Sequence, residues 1–240
     1  MVFRRLIGIS WRLSEVSGLE APTRSEGWEP RWARYLYGRV ARIYNAIRPL
    51  WSSRAAEGKL DALFAERIGS ATRVLELAPG TGINLVRLFR CSPKFKAYLG
   101  IDISAAMLDR ARIAARNDSR VTLQLGDATD LSGLAGSFGF IVCTWLLSHL
   151  EDPEHTVRDA LEHLEPGGTA AFLFFIRPDH PVIRALVSLF VRSFRGAFVD
   201  AEAISSLPHL ELMNRCGGGY ATLAVFRRPR EASPGSSRPG

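Results

Sequence analysis

The sequence predicts an α/β domain: a mainly parallel seven-stranded sheet with helices on both faces and an antiparallel hairpin at its C-terminal end. Three observations carry this. From residue 73 onward, short apolar runs alternate with helical stretches of about 10–13 residues, the pattern of parallel strands joined by crossover helices. The last two apolar runs are separated only by Gly217, Gly218 and Gly219, too few residues for a crossover, so they must pair as a hairpin. A chain of 240 residues that is 47% apolar can bury one full core.

The elements follow in order. Residues 1–30 form a basic tail: MVFRRLIGISWRL holds no acid, and Ser14–Pro30 is rich in Ser, Glu, Gly and Pro. That is the composition of a disordered segment; a membrane-surface amphipathic segment and a targeting peptide are the alternatives. A secretory signal does not fit, since neither an uninterrupted apolar core nor a small-residue cleavage site follows the charges. The domain spans 31–228 and opens with cap helices within 31–68, one over Trp32–Ile47 ending before Pro49 and one over Ser52–Ile68. RVLEL then reads as a strand, INLVRLFR as a helix, AYLGID as a strand, SAAMLDRARIAAR as a helix and VTLQLGD as a strand. FGFIVCTWL (strand), PEHTVRDALEHL (helix, Pro153 near its start) and GTAAFLFFI (strand) continue the alternation. Inserted lid helices occupy about 180–206, the hairpin closes the domain, and 229–240 is a second tail by composition.

Composition excludes several function classes. The net charge of +7 sits at the ends: residues 1–42 carry eight Arg against four Glu, and 227–240 carry four Arg against one Glu. The body between them is neutral, which argues against a phosphate-tracking groove. No apolar run approaches the roughly 20 residues that span a bilayer. Cys91, Cys143 and Cys216 are far apart and lack any CxxC or His spacing, so they form neither a disulfide framework nor a metal site, and a cytoplasmic, reducing compartment is expected.

The chemistry concentrates in Val74–Leu85, VLELAPGTGINL. Glycines between a strand and a helix let a ligand approach the backbone. A nucleotide-phosphate loop would need Gly-Lys-Ser/Thr, but Ile83 and Asn84 follow Gly82; a dinucleotide fingerprint would need a third glycine where Leu85 stands. A nucleoside without phosphates remains. Glu76 supports it, because an acid at that strand end repels phosphate and suits a cation or an amino group. Two carboxylates at the ends of neighbouring strands, Glu76 and Asp102, lie where open α/β sheets bind ligands, and one carboxylate can accept from both hydroxyls of a ribose.

VLELAPGTG resembles the first motif of class I S-adenosylmethionine-dependent methyltransferases, and the resemblance continues in order over roughly residues 70–176, with the end hairpin matching that Rossmann-like fold. It implies S-adenosylmethionine as cofactor, S-adenosylhomocysteine as product and no metal. It also implies cofactor contacts residue by residue. Glu76 and the loop Ala78–Gly82 (Ala78, Gly80, Thr81, Gly82) face the methionine half. Asp102 takes the ribose hydroxyls with Ile103 beside the adenine. Asp127 and Ala128 of GDA meet the adenine amine, Met107 packs near the ring or serves only as helix core, and Thr144 ends the fourth strand against the cofactor. The family often has glycine where Ala78 stands; alanine is tolerable there at negative φ.

The acceptor is indicated less directly. After the fourth strand the chain reads CTWLLSHLEDP, not the Asn/Asp-Pro-Pro-aromatic motif of enzymes that methylate exocyclic amines, and Cys143 belongs inside a strand, so nucleic acid is disfavoured as a partner. The positive resemblance is to the subgroup acting on quinones, phospholipids and other small apolar acceptors, whose Tyr-rich N-terminal helix resembles ARYLYGRVARIYN. Tyr37 and Tyr44, two helical turns apart, and Trp145 are the expected substrate residues; His149 and His180 are the candidate bases. A soluble secondary metabolite as acceptor, or a non-catalytic S-adenosylmethionine-binding protein, are the alternatives. Pro181–Phe194 carries apolar residues beyond a single stripe, flanked by Arg184, Arg192 and Arg195. It reads as a lid helix, a dimer contact, or a peripheral membrane contact delivering a lipid-borne acceptor.

Overall fold

The computed structural model describes residues 30–50 and 52–230. The expectations for the N-terminal basic segment and for 231–240 lie outside the described residues.

Seven strands form one sheet in the order β3-β2-β1-β4-β5-β7-β6: β1 Arg73–Leu77, β2 Ala97–Asp102, β3 Val121–Leu125, β4 Phe138–Thr144, β5 Leu164–Phe175, β6 Leu210–Cys216 and β7 Ala221–Arg227. β1 to β5 pair in parallel. β7 inserts antiparallel between β5 and β6, so the hairpin expected from the three glycines is present. The eight α-helices among the described residues are α1 Pro30–Val40, α2 Tyr44–Ile47, α3 Arg54–Arg67, α4 Ile83–Cys91, α5 Ala105–Ala115, α6 Pro153–Glu162, α7 Pro181–Ser193 and α8 Ala201–Ser205.

Local chemistry sets several helix starts. Ser53, Ser104, Asp152 and Asp200 each accept a hydrogen bond from a first-turn backbone N–H, satisfying donors that the helix leaves unpaired. The sheet buries both faces. Val74, Phe140, Val142, Leu223 and Val225 meet Leu60 and Phe64 of α3 and Leu85 and Leu88 of α4. Leu75, Leu77, Ile141, Ala224 and Phe226 meet Val157 and Ala160 of α6 and Ile204 of α8.

Two expectations shift. The first cap helix is not continuous over Trp32–Ile47: α1 ends at Val40, a turn follows, and α2 resumes at Tyr44. Val40 and Ala41 pack against Met107 of α5, so burial of this segment on the body bends what the local pattern would have run straight. β5 begins at Leu164 rather than at Gly168, with a register shift between its pairings to Phe138 and Phe140. Glu165–Gly168 form the irregular stretch; Gly167, at φ +80, supplies its left-handed step.

Candidate functional site

The strand order turns in opposite directions from β1, toward β2 on one side and β4 on the other. Open parallel sheets bind ligands at such a point, outside the carboxyl ends of the strands. A cavity of about 650 Å³, mouth included, lies there, within the usual size of a small-molecule site. Its wall takes Ala78 and Gly80 from the loop after β1, Asp102 and Ile103 from the end of β2, Asp127 and Ala128 after β3, and Thr144 and Trp145 from the end of β4. Met107, Tyr37, Tyr44 and His149 complete it.

Asp102 is held in place before any ligand arrives. The Gly80 N–H donates to its Oδ2 at 2.9 Å and the Ser104 N–H to its Oδ1 at 2.8 Å. Burial pushes its carboxyl up, and those N–H groups draw it back. A carboxylate accepting one bond per oxygen keeps lone pairs for a diol. Asp127 Oδ1 accepts from both N and Oγ1 of Thr129, which orients that carboxyl as well.

The two glycines of the loop have different tasks. Gly80, at φ +55, faces open space on the cavity wall. Gly82, at φ +81, faces α5: a Cβ there would stand 3.0 Å from the Cα of Ala111 and from the Cβ of Ala114. Gly82 therefore serves the close approach of α4 to α5, and it is absent from the cavity wall. Ala78 departs from expectation too. Its φ is +55, not negative, so this alanine sits in the left-handed region where glycine is the unstrained residue.

Glu76 also lies off the wall. It shares a sheet face with Val74, beneath the loop and toward α4, where Asn84 Nδ2 donates to its Oε1 at 2.7 Å and the Tyr98 hydroxyl donates to its Oε2 at 2.5 Å. Burial pushes its carboxyl up to about 7, against the lowering effect of those bonds and of Arg87. Asn84 Nδ2 also reaches Thr144 Oγ1 at 3.0 Å, and Arg87 bonds the other end of the amide while pairing with Asp61 of α3. One chain of polar contacts thus ties β1, β2, β4, α4 and α3 together under the cavity. Sequence reasoning missed Asn84, Tyr98 and Arg87; the available signal was an asparagine at the second position of the helix, with Arg87 three residues on. Thr81 Oγ1 donates to Asn45 Oδ1 at 2.6 Å, and Thr81 lines a polar recess of about 430 Å³ behind the loop with Arg48, Glu57, Asn84 and Arg87.

A further cavity, of about 360 Å³, adjoins the first and is aromatic: Phe175 at the end of β5, and Phe190 and Phe194 at the end of α7. Trp145 stacks on Phe175 at 4.5 Å between centroids, and Phe190 meets Phe175 at 6.0 Å. Tyr37, Tyr44, Trp145 and His149 line both cavities and stand between them. Tyr37 and Tyr44 meet edge to face at 6.4 Å although the helix breaks between them, because the turn returns the chain to the same wall. The Tyr37 hydroxyl and His149 Nε2 are 2.9 Å apart, and the imidazole also bonds the backbone of Phe194. In the tautomer that carries its proton on the other ring nitrogen, Nε2 accepts from the Tyr37 hydroxyl. Burial pushes His149 down to about 4. The structure does not bring His180 to this site: it is exposed at the start of α7 and lines neither cavity. Cys143 is buried in β4, its thiol pushed far up by burial.

The sheet, its crevice and the two joined cavities have the architecture of an α/β transferase that takes a nucleoside cofactor. Residues 74–168 match the family described as methyltransferase domain. The demethylmenaquinone methyltransferase of Roseiflexus sp. (strain RS-1) is 33% identical over 184 residues, covering 72% of this chain and 74% of that protein. Among solved structures, an O-methyltransferase family protein from Burkholderia thailandensis superposes with a TM-score of 0.68 at 18% identity, covering 96% of this chain and 70% of that one. The N-methyltransferase NodS from Bradyrhizobium japonicum WM9, in complex with S-adenosyl-L-homocysteine, does so with a TM-score of 0.57 at 18% identity, covering 74% and 87%. The chain belongs to the class I S-adenosylmethionine-dependent methyltransferases.

Proposed function

We propose that this enzyme methylates a small apolar aromatic acceptor of the quinol type, held in the aromatic cavity while the cofactor occupies the cavity beside it. The observation that carries the reading is the partition of Tyr37, Tyr44, Trp145 and His149, which lines both spaces, so that a group leaving one enters the other. Relatives named as demethylmenaquinone and ubiquinone/menaquinone methyltransferases support the acceptor class.

The residues present fit S-adenosylmethionine. Asp102, pre-oriented by two N–H groups, suits the ribose diol, and Ile103 and Ala128 offer apolar walls to the adenine beside Asp127. Gly80 lets the cofactor approach the loop backbone, and the recess of Arg48, Glu57 and Asn84 gives a polar end to the site. Glu76 acts through Asn84 and Thr144 by fixing the floor. When bound, the cofactor supplies an electrophilic methyl on a sulfonium with a good leaving group, so the protein's share is alignment, exclusion of water and removal of a proton.

His149 is placed for that last task. It is neutral at ordinary pH, the Phe194 backbone bonds its ring, and Nε2 faces Tyr37 at the partition. A hydroxyl on the acceptor ring that displaces Tyr37 hydrogen-bonds to the Nε2 lone pair, which takes up the proton as the methyl is transferred rather than before it. Phe175, Phe190 and Trp145 stack the ring and keep water out.

The test is methyl transfer to one-ring and two-ring hydroquinones. Methylated product is expected, with kcat in His149→Ala down by roughly 10²–10⁴-fold, far more than any loss of S-adenosylhomocysteine affinity. Cofactor binding with no hydroquinone methylated would remove the acceptor class, and an unchanged kcat in the variant would remove the base.

A further inference from the structure

Helix α7 is apolar on two sides. Its inner side, with Val187, Phe190 and Val191, packs on the core and walls the aromatic cavity. Its outer side presents Val182, Leu186 and Leu189 at 60%, 66% and 72% exposure. These positions are four and three residues apart, so they form one stripe along the helix. A helix that is merely a lid needs only its inner stripe, and scattered exposed aliphatics elsewhere on a protein need no explanation. Three on one face of a cavity wall do.

The charges around the stripe select its occupant. Helix α7 holds no acidic residue, and Arg192, exposed at its end, flanks the stripe, while Arg184 is half-exposed on the opposite side of the helix. The preceding Asp179 is neutralised by Arg215 at 2.8 Å, and Arg177 is exposed beside it. Across the aromatic cavity, α1 and the turn after it add exposed Arg39 and Arg42, also without an acid on the helix. An apolar stripe bordered by cations on the mouth side of the molecule is complementary to a lipid surface, with aliphatic side chains entering the acyl boundary and guanidinium groups meeting anionic headgroups. Among the described residues no helix is long and apolar enough to cross a membrane, so the contact would lie in the interface plane.

We propose that the outer face of α7 docks on an anionic lipid bilayer, setting the aromatic cavity against the surface from which an apolar acceptor enters. This rests on the acceptor class proposed above, yet the docking is measurable without turnover. Sedimentation of the full chain with phosphatidylglycerol–phosphatidylcholine vesicles should carry most of the protein down at low salt and less at 0.5 M salt. Leu186→Glu with Leu189→Glu should lower the bound fraction at least ten-fold, while the rate with a chain-free, water-soluble hydroquinone stays as in the parent protein. Equal sedimentation of parent and variant, or a parent that stays in the supernatant, would overturn docking through α7. A parent dimer that the same pair of changes splits, seen by analytical ultracentrifugation without lipid, would give the stripe to a second copy of this chain and equally overturn it. Vesicle binding by a protein that methylates no hydroquinone would leave the docking in place and remove only the acceptor.

Discussion

At the scale of single residues, the site is built on buried acids whose surroundings do different things. Asp102 keeps lone pairs toward the cavity, whereas Glu76 has turned its oxygens toward Asn84 and Tyr98. The consequence for Glu76 is a pH dependence of known sign. The folded protein holds its proton up to about pH 7, against an ordinary glutamate near 4.5, because burial penalises the charge. Between those values the folded state binds more protons than the unfolded one. This contribution to stability is therefore fullest below pH 4.5 and is lost as pH rises through 7, by up to about 3 kcal/mol. Glu76→Gln removes the titration, so urea unfolding at pH 5 and pH 8 should show a smaller loss of stability in the variant than in the parent. Equal losses would mean that Glu76 is ionised throughout. His149 works in the opposite direction at lower pH: its depressed folded value costs stability only as pH falls below the ordinary histidine range.

At the scale of elements, the junction from β1 to α4 separates ligand approach from helix packing. Gly82 must lack a side chain because α5 is there, and also because its φ is +81. Ala78 has a side chain at φ +55 and bears the strain. The two positions predict opposite outcomes in thermal or chemical unfolding. Gly82→Ala should destabilise by about 2–4 kcal/mol, from the left-handed backbone and from overpacking against Ala111 and Ala114. Ala78→Gly should stabilise by about 0.5–1 kcal/mol, the relief of strain exceeding the added freedom of the unfolded chain. Equal losses at both positions would show that the loop relaxes around either residue.

The whole molecule adds the second cavity and the direction from which it is served. Segments from far apart in the chain, α1 near the start and α7 late in it, meet over the sheet through the Tyr37–His149 bond and the contact of His149 with Phe194. Ligand binding to this assembled cleft should stabilise it by mass action: S-adenosylhomocysteine at 100 times its Kd contributes about 2.7 kcal/mol. For a domain of this size that raises Tm by roughly 5–11 °C. Asp102→Ala should abolish most of the rise at the same ligand concentration. A full rise in that variant would place the nucleoside away from the end of β2.

The sequence by itself determined the alternation of strands and helices, the closing hairpin and the acid-and-glycine signature at the end of β1. Each of these is a local pattern: RVLEL and AYLGID are short, mainly apolar runs that end where a loop opens the next helix, and they pair in parallel in the sheet. The carboxylate at Asp102 was legible for the same reason, since strand ends in a parallel sheet gather at one edge, whereas Ile103, Asp127, Ala128 and Trp145 on the cavity wall were indicated only by the family resemblance. Tertiary structure alone decided the rest. Whether Gly82 faces a ligand or a helix depends on where α5 passes, and nothing within VLELAPGTGINL records that path. Whether His149 or His180 serves the cleft depends on how α7 folds back, with its end and not its beginning over β4 and β5. The aromatic cavity belongs to neither Phe175 nor Phe190 until the sheet and α7 are packed together. Local pattern fixes what a segment becomes; only long-range packing fixes what its side chains meet.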